Sequence, residues 1–134
     1  MTPRKDSIAP HVRAAIEAAQ EKQGADVILL DLEGLAAFTD YFVLCTGFSA
    51  RQVEAICEEV EKRVEQAGTR LMHREGKTGS DWMLLDFGSL IVHVFTERAR
   101  RYYDLERLWR AAQRIEFRDP REGNPLTGAA EAEG

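Results

Sequence analysis

Asp26 to Leu32 reads DVILLDL, a run in which only the two aspartates interrupt branched and aliphatic side chains. A strand with one face in water alternates apolar and polar residues, so a run this apolar requires cover on both faces. TDYFVLCT, from Thr39 to Thr46, is a second strand, rich in the aromatic and branched residues that suit a pleated surface. A sheet covered on both faces needs helices, and the flanking sequence supplies them. Ile8, Val12, Ala15, Ile16 and Ala19 fall on one helical face, with Asp6 or Ser7 as cap, Pro10 in the first turn and Gly24 as stop. Ser49 followed by Gln52 forms a capping box before the stripe Val53, Ile56, Cys57, Val60 and Val64, which Gly68 closes.

Two apolar runs joined at Gly88-Ser89, within DWMLLDFGSLIVHVF, predict a β-hairpin from Asp81 to Phe95. With a two-residue loop, Phe87 pairs with Leu90, Leu85 with Val92 and Met83 with Val94, making an apolar face that belongs to the core. The other face carries Asp86 opposite Ile91, Leu84 opposite His93 and Trp82 opposite Phe95. Trp82, Asp86 and His93 therefore share a mixed face, where a diagonal Asp86–His93 hydrogen bond is expected. TRLMHR is a short strand candidate, and GLAAF is a link. Thr96 caps a final helix in which Tyr102, Leu105, Leu108, Trp109 and Ala112 recur at helical spacing. The order α-β-β-α-β-β-β-α predicts one α/β domain over residues 1–117, a mixed sheet with helices packed on it. Residues 118–134, rich in Pro, Gly, Ala and acid, are expected to form a disordered tail.

The net charge of −5 argues against a protein that coats nucleic acid non-specifically, because that binding is driven by neutralising phosphates. Arginines nevertheless crowd RARRYYDLERLWRAAQR, a basic patch able to dock against a large anionic particle or an acidic partner. Cys45 and Cys57 are the only cysteines; they stand in no zinc or redox spacing and read as buried free thiols. There is no signal-peptide core and no apolar run of membrane-spanning length, so a cytoplasmic location is expected.

A search for catalysis finds little. CTGFSARQ places one glycine and one serine between a strand and a helix, which suits a phosphate but equally an ordinary N-cap. DLE, at Asp31 to Glu33, is the nearest carboxylate pair for magnesium and stands in the wrong order relative to that turn. His11, His73 and His93 are scattered, and no nucleophile motif accompanies them. No metal site, cofactor site or catalytic constellation is expected. Trp82, Phe95, Tyr102, Tyr103 and Trp109 beside the arginine cluster point instead to a binding module, since Trp, Tyr and Arg dominate contact hot spots.

These residues also carry a resemblance. TDYFVLCTG followed by Ser49, Arg51 and Gln52, then Glu75-Gly76 with Trp82, LLDFG with VHVF, and RYYDLERLW, in this order and spacing, resemble the ribosomal silencing factor family, also called the Iojap-related proteins. Ser89 departs from the pattern, standing where an acidic residue commonly follows the glycine. The resemblance implies a fold related to the nucleotidyltransferases without their catalytic carboxylates. It implies binding to the large ribosomal subunit through ribosomal protein fourteen, which blocks joining of the small subunit and represses translation without covalent chemistry. On that basis Trp82, Asp86, Phe87, Tyr103 and Glu106 are the expected contacts, supported by His93, Tyr102 and Trp109. Phe87 is included for its place beside the hairpin tip although the register sends it inward; Phe87 and Trp109 stand open between core and contact. The arginines are expected near ribosomal RNA phosphate, and a homodimer is expected off the ribosome. The alternatives are an RNA-binding module using the C-terminal arginines and a nucleotidyltransferase-like enzyme.

Overall fold

The apolar run at Asp26 lies one strand in from the edge of a six-stranded sheet, in a computed structural model that describes residues 8–77 and 79–118. In chain order the elements are α1 (Pro10–Glu21), β1 (Ala25–Asp31), β2 (Tyr41–Gly47), α2 (Ala50–Gln66), β3 (His73–Glu75), β4 (Trp82–Asp86), β5 (Leu90–Thr96), α3 (Glu97–Tyr103), α4 (Leu105–Leu108) and β6 (Gln113–Phe117). The strands are ordered β3-β4-β5-β2-β1-β6. β2 and β5 run parallel at the centre, and the other pairings are antiparallel. Parallel neighbours need a crossover, which α2, β3 and β4 provide.

α1 and α2 cover one face, where Val12, Ile16, Val53, Ile56 and Val60 pack against Val27, Leu29, Val43, Met83 and Leu85. On the other face Ile28, Leu30, Phe42, Leu44, Ile91 and Phe95 lie beneath Leu105, Trp109 and Ala112. β1 is thus buried from both sides, as its composition demands. The α2 stripe is fully enclosed, and each such aliphatic residue contributes about 1.5–3 kcal/mol. Most helical stability in a folded protein comes from packing of the apolar face, so that stripe is what holds α2. Among the described residues no helix is long and apolar enough to cross a membrane.

Several local expectations are corrected. Ala9, with no side-chain hydrogen bond, is the N-cap of α1, and Pro10 opens the helix; Asp6 and Ser7 lie outside the described residues. Beyond α1 the left-handed residue is Gln23 (φ 66°), not Gly24. Ser49 Oγ accepts from Gln52 N–H at 3.1 Å as expected, but the return bond is displaced by one residue. Gln52 Oε1 accepts from Phe48 N–H, while its Nε2 donates to the carbonyls of Lys22 and Gln23. One amide thereby ties the turn before α2 to the turn after α1.

The single terminal helix is broken at Asp104, which adopts φ 50° and ψ 53°. An aspartate tolerates this left-handed geometry better than most residues. QRIEF then forms β6 against β1, a strand absent from the expected order. Its period-two pattern was present, with Ile115 and Phe117 meeting the α1–α2 core. The expected tail falls outside the described residues except for Arg118.

Gly47 sits where β2 meets α2, and a Cβ there would lie 2.8 Å from Val53 Cγ2 and 3.1 Å from its main-chain nitrogen. Gly47→Ala is therefore expected to destabilise the fold by about 1–3 kcal/mol through overpacking, read as a lower urea midpoint at unchanged slope.

Candidate functional site

The hairpin has the expected register: Trp82 opposes Phe95, Met83 opposes Val94, Leu84 opposes His93, Leu85 opposes Val92, and Asp86 opposes Ile91. Its two faces fare differently. Met83, Leu85 and Phe87 are buried under the α1–α2 layer, whereas Trp82, Leu84 and Asp86 are half-buried. α3, α4 and the segment before β2 cover the second face over β5, β2 and β1, but leave β4 partly open. The candidate site is this open part and its rim.

Trp82 anchors it. Its ring stacks on Phe95 at 5.4 Å and meets Tyr103 at 4.4 Å. Its indole N–H donates to Nδ1 of His93 at 3.1 Å. This replaces the expected Asp86–His93 bond and makes Nδ1 the acceptor, leaving the proton on Nε2. His93 is 3% exposed, its Nε2 has no hydrogen-bond partner among the described residues, and its ring abuts Phe42 at 4.4 Å. Burial pushes its pKa down to about 3. Asp86 instead turns its Oδ1 to the N–H of Gly88 at 2.8 Å, closing the hairpin tip. Gly88 has φ +90° there, and Thr39 donates to its carbonyl at 2.9 Å. Ser89 is held by Nε2 of His11 at 3.0 Å from its hydroxyl.

The remaining expected residues separate into four groups. Phe87 is 3% exposed within the α1–α2 core, so it backs the face and presents nothing to a partner. Pairing with Leu90 puts its ring on the side of Leu85, as the register requires. Tyr102 and Tyr103 are exposed and meet edge to face at 5.0 Å. Trp109 is half-buried, about 6 Å from both Phe38 and Phe42. The rings thus form one belt from Phe38 through Phe42, His93 and Trp82 to Tyr102. Phe38 and Leu108, exposed apolar residues at the Trp109 end, and exposed Leu35 were not among the sequence candidates. The available signal was Phe38 itself, an aromatic in a link with no periodicity to bury it.

Glu106 does not stand free. Its carboxylate receives Arg100 Nε and Nη2 at 3.3 and 3.1 Å, with Arg114 at 3.4 Å. Arg100 is buried, and its Nη1 also donates to the Asp26 carbonyl at 2.8 Å and the Thr46 hydroxyl at 2.9 Å. Asp26 lies at the register shift in β1 with φ 50°, which aims that carbonyl at the guanidinium. One side chain therefore joins β1, β2, α3 and α4. Nothing in the sequence distinguishes it from its neighbours Arg98 and Arg101.

The groups considered for chemistry are otherwise engaged. Asp31 Oδ1 accepts from Glu33 N–H at 3.0 Å. The TGFS turn borders a polar groove of about 910 Å³, but its Ser49 hydroxyl and Phe48 N–H are both taken by Gln52. Burial pushes the thiols of Cys45 and Cys57 up to about 12, which keeps them as neutral thiols. Among the described residues no cluster of three or more His, Cys, Asp or Glu could hold a metal.

Two measurements check this geometry. The folded His93 imidazole stays neutral where the unfolded one, with pKa 6.5, gains a proton. Its contribution is intact above pH 6.5 and is lost as the pH falls towards 3, at up to about 1.4 kcal/mol per pH unit. In His93→Gln, denaturant midpoints followed against pH should lack that component. Arg100→Met, which leaves Glu106 to Arg114 alone and takes the donor from the Asp26 carbonyl and the Thr46 hydroxyl, is expected to cost about 3–5 kcal/mol. Calorimetry should show a much smaller loss when Glu106→Gln is added.

The family model described as ribosomal silencing factor during starvation matches residues 5–133. Ribosomal silencing factor RsfS of Bacillus subtilis is 38% identical over 98 residues, covering 73% of this chain and 83% of the relative. Its namesake in Halalkalibacterium halodurans is 35% identical over 106 residues, covering 79% and 91%. The crystal structure of a Chromobacterium violaceum protein superposes with a TM-score of 0.72 at 33% identity, covering 90% of this chain and 93% of that one.

Proposed function

The chain belongs to the ribosomal silencing factor family, and from that premise we propose that it binds the large ribosomal subunit through ribosomal protein fourteen. Bound there, in the cytoplasm, it occupies a surface the small subunit must approach, so subunits do not join and translation falls. The mechanism is steric occlusion by residues 1–117 and needs no bond made or broken. The observation that supports this reading most is the open aromatic belt over β4, where a rigid half-buried tryptophan is flanked by exposed tyrosines. Such a patch has an apolar centre and a charged rim, the anatomy of a protein contact. A stable contact needs roughly 800 Å² per partner, which the hairpin face, α3, α4 and the Phe38 segment together can offer.

Within that surface Trp82, Tyr103 and Tyr102 are the direct contacts. Asp86 presents the carboxylate edge not held by Gly88, to a basic partner. His93 and Trp109 hold the rings in place, Phe87 packs the opposite face of the hairpin, and Glu106 fixes α4 through Arg100. Off the ribosome a second copy covers the same apolar surface. The RNA-module alternative is weakened because four of the six arginines between Arg98 and Arg114 are paired with carboxylates. The enzyme alternative is weakened by the engagement of Asp31 and Asp86 in local turns.

Sucrose-gradient sedimentation of separated subunits tests the reading. The protein is expected to co-migrate with large subunits and to deplete the joined peak. Tyr103→Ala and Trp82→Ala, each verified as folded by circular dichroism, should weaken binding by about 2 kcal/mol, roughly thirtyfold. Unchanged subunit joining at saturating protein would overturn the proposal.

A further inference from the structure

We infer that Arg107 and Arg110, on and immediately after α4, contact the phosphate backbone of ribosomal RNA beside the docked aromatic face. This rests on the ribosome-binding reading and adds to it a second, chemically different contact. In sequence the arginine-rich segment looks uniform, but the fold divides it. Arg98 pairs with Asp81 at 2.8 Å and Arg101 with Glu97 at 3.0 Å. Arg100 is committed to Glu106, and Arg114 reaches both Glu106 and Glu116. Arg107 and Arg110 are exposed and have no side-chain ion pair or hydrogen bond to another described residue.

Their placement gives these two charges a direction. Arg110 N–H bonds the Arg107 carbonyl, so both belong to one turn. Between them lie exposed Leu108 and half-buried Trp109, at the Phe38 end of the belt. The carboxylate just before that turn, Glu106, is already neutralised by Arg100 and Arg114. Asp104 faces the polar groove together with Arg101. The exposed cations of α2, Arg51 and Lys62, belong to the helix that covers the opposite sheet face. Two adjacent guanidiniums on an acidic chain, bordering the docking face, suit phosphate oxygens, which they bind through paired N–H donors. Their small number matches a contact that adds to protein docking, rather than autonomous RNA binding.

The test is equilibrium binding of the full chain to purified large subunits between about 50 and 200 mM salt, with hydroxyl-radical footprinting of the RNA. Arg107→Gln/Arg110→Gln should lower the slope of log K against log salt by about 1 to 2 and lose protection of one backbone stretch. Arg98→Gln/Arg101→Gln, whose charges are already paired, should leave the slope unchanged. Tyr103→Ala should weaken binding at every salt concentration without altering the slope. An unaltered slope in Arg107→Gln/Arg110→Gln overturns the inference while leaving the docking reading intact. A reduced slope with the full RNA footprint retained also overturns it, assigning the arginines to protein carboxylates. No binding by the unmodified chain overturns both.

Discussion

A guanidinium buried where the sheet meets its terminal helices is the constraint on which the second face depends. Without water, Arg100 needs hydrogen-bond acceptors around its planar fork, and they come from three places: a bulged carbonyl in β1, a hydroxyl in β2 and a carboxylate in α4. Meeting that demand fixes α3 and α4 relative to the strands. It also accounts for the left-handed break at Asp104, which lets Glu106 turn back towards the residue six positions before it. With the two short helices held this way, Tyr103 is brought to Trp82 and Trp109 to Phe42. The aromatic surface is assembled by an ionic contact behind it.

The sheet gives its two faces different tasks. The α1–α2 face is closed and apolar from Val27 to Phe87, and it carries most of the fold. The other is sealed only over β5, β2 and β1, and is left half-dry along β4. Its rings contact one another, so exposure does not leave them loose. Trp82 is held by a hydrogen bond and two neighbouring rings. A side chain positioned before any partner arrives loses little freedom on binding, a condition for an efficient contact.

How legible this was depended on whether a feature had a period. The hairpin register could be read residue by residue because a slip of one would have exposed Met83, Leu85 and Phe87 together. α2 was legible for the same reason, its apolar stripe admitting one arrangement, and β1 from an unbroken apolar run that only cover on both faces accommodates. Arg100 was not, since three arginines within four positions look alike until the fold buries one. Nor was the break at Asp104, because Leu105, Trp109 and Ala112 keep a helical spacing across a segment that is not one helix. β6 was missed as a five-residue alternation beyond that spurious helix. At the site Trp82, Tyr102, Tyr103 and Trp109 were legible, but Phe38 was not, and nor were the bonds: the indole takes the imidazole where Asp86 is the expected partner, and Glu106 is held from within.

β6, added at the far edge beside β1, bears on the order in which this molecule can come into being. The strand at Ala25 has one long-range neighbour in β2, but its other edge stays open until Gln113–Phe117 arrives. β2 likewise waits for Leu90–Thr96, its parallel neighbour across the crossover. A growing chain can therefore pair its two most apolar strands with each other early, but each keeps one edge open until the later strand arrives. The finished sheet, with the surface built on it, waits for Gln113–Phe117.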